Sequence, residues 1–374
     1  MSKSTIPGFP EPPEEEAWIY FLRAFKAVID RADRHLRAGS ELTLAEFEIL
    51  FIVSSAHGSI RFIDLATITL LSQSRISRQI DALQSKGLVL RKITDSDRRA
   101  TFATLTPKGR NIYDAAHGRF LETYHADFKD LVPPKNLDAF HDTLKDLLQE
   151  PDYAERIASI FATTREVNLR RLTPKARHEI ADGAAAPETS YRSLWIYFLR
   201  AYKTVVDRVE GELERSSRLA LTEFELLDTL VKGGGRMRFI DLANVTMLSQ
   251  SRISRQIDAL QSKGLLLREI TDSDRRATFA RLTPAGRAAH EKAVPTFLST
   301  SHADFADLIA PKNRRKFTAS LVALLKEPDY FARRTAIIEA AHEFNARNKV
   351  SPPARAAGRR RADPTADRKA RVTA

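Results

Sequence analysis

The feature that most constrains this chain is that it contains itself. "WIYFLRAFK" at 18–26 returns as "WIYFLRAYK" at 195–203, and "EPDY" at 150–153 returns at 327–330, each displaced by 177 residues. A single ungapped offset relates Trp18 through about Arg170 to Trp195 through Arg347, which predicts two copies of one domain. Between them, "RLTPKARHEIADGAAAPETS" has no apolar period and a Gly-Ala-Pro centre, the composition of a linker. Twenty such residues span about 25 Å on average and at most about 70 Å, enough to set two domains side by side. The expected organisation is a disordered arm at 1–16, a first domain at 17–170, a linker at 171–190, a second domain at 191–347 and a disordered basic tail at 348–374.

A chain of 374 residues, 43% hydrophobic and 29% charged, has room for more than one core and the balance of a globular protein. No apolar run approaches the roughly 18–20 residues that span a bilayer. The first residues, "MSKSTIPGFPEPPEEE", lack the apolar core of a signal peptide, and the absence of cysteine excludes disulfides and thiolate chemistry. These features predict a cytoplasmic, nucleoid-associated protein with no membrane partner. The net charge of +12 is uneven: residues 1–16 carry −3 and residues 351–374 carry +5, which leaves +10 on the body. A basic body favours a polyanionic partner, because phosphate contacts release counterions.

Periodicity gives the elements of copy one. Trp18, Leu22, Phe25, Ile29 and Leu36 share a helical stripe. Thr43 and Glu46 make a capping box ahead of "LAEFEILFIVSSA", whereas copy two has Ala220 in the capping position. "SIRF" predicts a short strand and "IDLATITLL" a short helix. Ser72 then caps a helix to Lys86, which Gly87 stops. "LVLRKIT" and "TFATLT" alternate as two strands around a turn "DSDRRA", and Pro107 opens a long helix to about Val132. Further helices are expected at about 135–149 and from Pro151 to about 170. This order is that of a winged helix-turn-helix, with long flanking helices as the natural place for dimerisation.

On the 72–86 helix, Ile76, Ile80 and Leu83 form the inner stripe. Ser74, Arg78 and Ser85 lie opposite, with Arg75, Ser77 and Asp81 to the sides. A short-chained, cationic outer face suits a major groove, where Arg binds guanine in a bidentate way and Ser serves several bases; an ordinary solvated face would look much the same. Asp81, one turn on, is placed to hold Arg78. In the turn, Arg98 or Arg99 is placed for a narrow minor groove, with Asp95 or Asp97 bracing the other. The comparison of copies adds weight. From Leu71 to Pro107 only three of 37 positions differ (Val89/Leu266, Lys92/Glu269, Thr104/Arg281), whereas about half differ from Lys108 to Glu150. Two heads that read the same half-site account for that pattern; gene conversion confined to the segment is the competing account.

The run "LSQSRISRQIDALQSKGLVLRKITDSDRRATFATLTPKGR" and its twin at 248–287 resemble the MarR (multiple antibiotic resistance regulator) family of winged-helix transcription factors. The likeness rests on a recognition helix ending in Asp-x-Leu-x-x-x-Gly-Leu, an acid-and-arginine wing and a following Leu-Thr-x-x-Gly, and it covers about 18–150 and 195–327. It implies a mainly α fold with small β-wings, two winged heads on a shared helical dimerisation core. It also implies an inverted-repeat DNA site and release by a small aromatic or lipophilic effector. The recognition-helix positions expected to meet DNA are Ser72, Gln73, Ser74, Arg75, Ser77 and Arg78, with Ser249, Gln250, Ser251, Arg252, Ser254 and Arg255 in copy two. The wing positions are Arg98, Arg99, Arg275 and Arg276. Family members are usually separate identical chains, so a tandem chain is expected to act as a built-in pseudo-dimer, able to associate further.

The aromatics Trp18, Tyr20, Phe21, Phe47 and Phe51, with Trp195, Tyr197, Phe198 and Phe224, fit either a ligand cleft or, as such spacing more often means, a core; Asp228 stands where copy one has Phe51, so two clefts would be unequal. Nothing in the motifs predicts an enzyme, a metal site or a cofactor. The histidines include no His-Glu-x-x-His, and "KGGGR" at 232–236 lacks the Lys-Ser/Thr of a phosphate loop. Two other functions fit the residues: a non-specific architectural DNA-binding protein, and a small-molecule-binding module that has lost DNA function.

Overall fold

The computed structural model describes residues 12–94, 97–170, 189–271 and 274–347. In copy one, α1 (Pro12–Ser40) begins within the stretch read as an arm. Helix α2 (Leu44–Ser55) starts on the expected capping box, with Thr43 Oγ1 accepting from the Glu46 N–H and Glu46 accepting from the Thr43 N–H. Then follow β1 (Ser59–Arg61), α3 (Phe62–Thr69), α4 (Gln73–Ser85), β2 (Val89–Thr94) and β3 (Asp97–Leu105). Helices α5 (Pro107–Asp127), α6 (Leu137–Leu148) and α7 (Tyr153–Arg170) complete the copy. Copy two repeats the order with α8 (Thr189–Ser217), α9 (Leu221–Lys232), β4 (Arg236–Arg238), α10 (Phe239–Thr246), α11 (Gln250–Ser262), β5 (Leu266–Thr271) and β6 (Asp274–Leu282). It ends with α12 (Pro284–Ser301), α13 (Pro311–Leu325) and α14 (Tyr330–Arg347). Most of the segment read as a linker, 171–188, lies outside the described residues, as do the N-terminal residues 1–11 and the basic tail from 348.

Each head carries a three-stranded antiparallel sheet, ordered β1-β3-β2 and β4-β6-β5. The Leu-Thr-Pro-x-Gly motif explains how the sheet hands over to α5. Thr106 Oγ1 accepts from the Gly109 N–H at 2.9 Å and donates to the Gly87 carbonyl at 2.8 Å. A Cβ on Gly109 would stand 2.0 Å from the Leu88 carbonyl oxygen, and one on Gly286 2.1 Å from that of Leu265, so only glycine lets helix and strand approach so closely. The long helix ends earlier than periodicity suggests. At Phe128 the backbone leaves the helical region, and a 3₁₀ turn (Lys129–Leu131) leads into Pro133 and Pro134, which bar a helical residue before them.

The chain divides into two compact units, and the division does not follow the repeat. One draws on Met1–Leu221 and Lys292–Arg334, the other on Thr222–Glu291 and Thr335–Ala374. The first unit therefore holds the first head together with α8, α13, the end of α12 and the start of α14. Within it α1 packs against α13, and α6 against α8. Many of the contacts are reciprocal, a pair from copies one and two touching as their counterparts do. Phe25 meets Phe198 at 5.3 Å and Phe21 meets Tyr202 at 5.5 Å. Trp18 stands edge-on to Phe305 at 5.3 Å, and Trp195 to Phe128 at 5.1 Å. Lys326 donates to Asp127 at 2.6 Å, while Gln149 donates to the matching Asp304 at 3.1 Å. Phe140 stacks on its own counterpart, Phe317, at 5.4 Å. Reciprocity of this kind is the mark of a two-fold interface. Within the second unit the sheet packs against α11, and Asn345 of α14 donates to the carbonyls of Gly233 and Arg236, both at 2.7 Å.

Both Phe140 and Phe317 are fully buried, so truncating either to Ala is expected to cost about 3–5 kcal/mol in denaturant unfolding of the whole chain. Because the rings touch, the double variant should depart from additivity by about 0.5–3 kcal/mol. Strict additivity would show that the copies do not share this core.

Candidate nucleic-acid interface

Recognition-helix geometry follows from its first residues. Ser72 sits at φ −65°, ψ 150°, the extended conformation of an N-cap, and its hydroxyl accepts from the Arg75 N–H. Just before it, Leu70 takes a left-handed conformation (φ 54°) that turns the chain from α3 into α4, and Met247 (φ 52°) does the same in copy two. For non-glycine residues this conformation is uncommon and mildly strained. Ile76, Ile80 and Leu83 are fully buried, as the periodicity predicts. That leaves Ser72, Gln73, Ser74, Arg75 and Arg78 exposed along one edge and Ser77 half-buried. The Arg78 Nε donates to the Ser74 carbonyl at 3.4 Å, which lays the guanidinium back along the exposed face. Copy two repeats each feature: Ser249 caps α11, Ser249 and Ser251 hydroxyls lie 3.1 Å apart, and Arg255 Nε reaches the Ser251 carbonyl at 3.3 Å. Gln250, Ser251, Arg252 and Arg255 are exposed and Ser254 is half-buried.

Asp81 does not hold Arg78. It pairs with Arg91 of β2 at 2.7 Å, and the same guanidinium donates to Ser77 Oγ at 2.9 Å and lies 5.1 Å above the Phe62 ring. Arg91 thus ties the wing strand, the recognition helix and α3 together, and Ser77 is an acceptor inside that tie. Arg268 repeats it with Ser254 at 2.8 Å, Asp258 at 3.1 Å and Phe239 at 5.0 Å. Arg91 sits ten residues from Asp81 on a different element, so no helical spacing singles it out. At the far end of α4, Lys86 pairs with Glu46 at 2.7 Å, as Lys263 does with Glu223 at 2.8 Å. Burial pushes the Glu46 carboxyl up, but hydrogen bonds from Lys86 and the Thr43 backbone outweigh it and hold the group below the usual carboxylate value.

The wing arginines lie on a strand rather than a turn. Thr94 pairs with Asp97 and Ile93 with Thr101, so Arg98, Arg99 and Ala100 are the extra residues of a bulge at the start of β3. Arg275 and Arg276 occupy the same bulge in β6. A bulge bends and twists the strand and re-aims the residues it carries. The side chains of these four arginines lie outside the described residues, as do residues 95–96 and 272–273 at the tips.

Two of the three differences in the otherwise identical segment form one set with a third outside it. Copy one pairs Ser59 and Thr104 hydroxyls at 3.1 Å across β1 and β3, with Lys92 exposed on β2. Copy two has Arg236, Arg281 and Glu269 there, and Glu269 accepts from Arg236 at 2.9 Å and from Arg281 at 2.8 Å. Either set leaves a single positive charge on the sheet, so the two heads keep the same electrostatic face.

The MarR family model matches residues 42–101 and again 219–278, the same 177-residue displacement as the internal repeat. Each copy of the repeat thus carries a match to the MarR family. The HTH-type transcriptional regulator MhqR of Bacillus subtilis (strain 168) is 31% identical over 93 residues, which are 25% of this chain and 63% of that relative. The chain therefore spans less than two thirds of the length of this curated relative. Among solved structures, AbsC, a MarR family transcriptional regulator from Streptomyces coelicolor, is 29% identical and is covered to 99% by 44% of this chain, with a TM-score of 0.33. Sco3205 from the same organism, solved in complex with DNA, is 23% identical, with 83% of it matched by 34% of this chain at a TM-score of 0.33.

The Glu269 network carries a pH signature. Burial pushes its carboxyl up, but Arg281 and Arg236 outweigh that and hold it below the usual carboxylate value. A group whose folded value is depressed stabilises the fold above its unfolded value and loses that contribution as pH falls through the folded one. Acidification through that range is expected to speed amide exchange in β5 and β6, and Glu269→Gln should remove this pH dependence. An unchanged profile in the variant would show that the network does not brace the sheet.

Proposed function

We propose that this MarR-family chain is a sequence-specific DNA-binding transcriptional regulator, a repressor, whose two heads bind an inverted-repeat operator and which a small-molecule effector releases. The observation that carries this reading is the identity of the two recognition helices in a chain whose scaffold has diverged. Ser72–Arg78 and Ser249–Arg255 share sequence, cap geometry and the pattern of exposed side chains. Drift that spares two exposed polar faces, and compensates charge in the sheets beside them, is what a shared half-site demands.

In this reading Arg78 and Arg255 face guanine edges in the major groove, and Ser74 and Ser251 contact bases beside them. Gln73, Arg75, Gln250 and Arg252 at the helix N-termini set the register on phosphates, together with the capping residues Ser72 and Ser249. Arg98, Arg99, Arg275 and Arg276 serve the adjacent minor groove. Ser77 and Ser254 act through Arg91 and Arg268, which fix how the helix stands against the wing. The reciprocal contacts between the long helices of the two copies support a single-chain pseudo-dimer, in which the linker holds the partner copy at high effective concentration. Half-sites about one helical turn apart, roughly 34–36 Å, suit such a pair.

Arg78→Ala and Arg255→Ala are each expected to weaken operator binding by about 1–3 kcal/mol and to relax specificity in one half-site only. Titrations of cognate and scrambled DNA at fixed salt measure both. If either variant keeps the wild-type ratio of the two affinities, the guanine-reading role is wrong.

A further inference from the structure

Along α6 and α13 the two copies have taken opposite charge. These helices pack side by side in the first unit, with Phe140 stacked on Phe317. Their inner faces are alike: Phe140, Leu144, Leu147 and Leu148 are buried and return unchanged 177 residues on, where they are buried again. Their outer faces are not. Helix α6 holds Asp138, Asp142 and Asp146 against Lys145, a net −2 with His141 neutral. Helix α13 holds Lys312, Arg314, Arg315 and Lys316 and no acid, a net +4. Unconstrained drift would scatter charges of either sign over both surfaces; here the signs have been sorted onto two neighbouring helices.

Neither set is used up within the chain. The three aspartates follow one another at four-residue spacing along one exposed row. Among the described residues Asp138 and Asp146 make no ion pair, and Asp142 has only His141, at 3.7 Å. Burial raises the Asp146 carboxyl above its usual value and the neighbouring Asp142 pushes it further, with Lys145 opposing, so a second cation brought alongside would relieve it. On α13, Lys312, Arg315 and Lys316 are exposed and, among the described residues, make no ion pair. Beyond them Ala319, Val322 and Ala323 stand where α6 has Asp142, Lys145 and Asp146. Short side chains there leave room for another helix to lie close.

We propose that this two-signed face is where a second copy of the chain docks, related by a two-fold axis so that α6 of each chain lies on α13 of the other. The partner follows from the charges. A polyanion suited to α13 would be repelled by the aspartates of α6 packed beside it, and a polycation suited to α6 would be repelled by α13. The partner must carry both signs, side by side and in exchanged order. This chain, given half a turn about an axis along the helices, does so: each acidic row meets a basic one, as an isologous interface requires. Exposed ion pairs are individually weak and screened by salt, so the association is reversible and salt-sensitive. None of these residues belongs to a recognition helix or a wing. The pairing therefore goes beyond the proposed DNA reading and stands without it, and a pair of chains carries four heads.

The test is the mass of the full chain, free of DNA, by sedimentation velocity over a range of protein concentration. It is run at about 0.1 M and about 1 M salt, between which the screening length shortens from about 10 Å to about 3 Å. Two chains per particle are expected at low salt and one at high salt. The variant K312E/R315E/K316E makes both helices acidic, and D138K/D142K makes both basic. Each alone should associate roughly tenfold or more weakly, because like charges then face each other. An equimolar mixture of the two variants should recover the pair, which also shows that each has folded. A single chain at every salt and concentration, pairing that survives both reversals, or variants that stay apart when mixed would overturn the proposal. So would a loss of DNA affinity in K312E/R315E/K316E with association unchanged, which would give the basic helix to nucleic acid instead.

Discussion

The packing of α1 against α8 is the contact on which the rest of this structure depends. Phe25 and Tyr202 stack with ring centroids 3.4 Å apart and planes within 1° of parallel, and their neighbours Phe21 and Phe198 extend the aromatic seam to Phe305, Phe317 and Phe140. Helices this apolar on one side are not stable alone in water. Each copy's first helix finds its cover in the other copy, which is why the first compact unit crosses the repeat boundary and takes in α13 and the end of α12. Covalent linkage makes the meeting of the two copies an intramolecular event.

They have become different in a patterned way. Along the exposed faces Ser72–Arg78 and Ser249–Arg255 the letters are unchanged, as the proposed shared half-site requires. Where only fold and charge must be kept, the residues change as a set: Ser59, Lys92 and Thr104 give way to Arg236, Glu269 and Arg281 with the charge preserved. Elsewhere the chemistry diverges outright, as where Phe51, Ser55 and Tyr113 give way to Asp228, Lys232 and His290, which pair with one another through the Asp228 carboxylate. The internal comparison thus serves as an alignment of two sequences, and the kind of change at each site reports the kind of constraint acting there.

Much of this was legible in the sequence because it is local. The Thr43–Glu46 capping box, the Ser72 N-cap, the Gly87 stop and the Ile76–Ile80–Leu83 stripe are set by spacings of three or four residues along one helix, and each stands where periodicity places it. What could not be read depends on where a chain returns to meet itself. The α5 helix stops at Phe128 because a loop and two prolines follow, and the wing arginines fall on a strand because a bulge absorbs them. Arg91 and Arg200 both act across elements: one from the wing to the recognition helix, the other from copy two to the Ile68 carbonyl in the head of copy one. Only the three-dimensional fold brings those partners together.

The most direct test of a single chain reading both halves of one site is selection of bound fragments from random DNA by the purified protein at physiological salt, with the mass of the selected complex measured alongside. Enrichment of an inverted repeat with matching half-sites, held by one chain, is the result this account requires. Enrichment of a lone half-site, or of no sequence at all, would contradict it and would make the identity of the two recognition helices a relic of duplication.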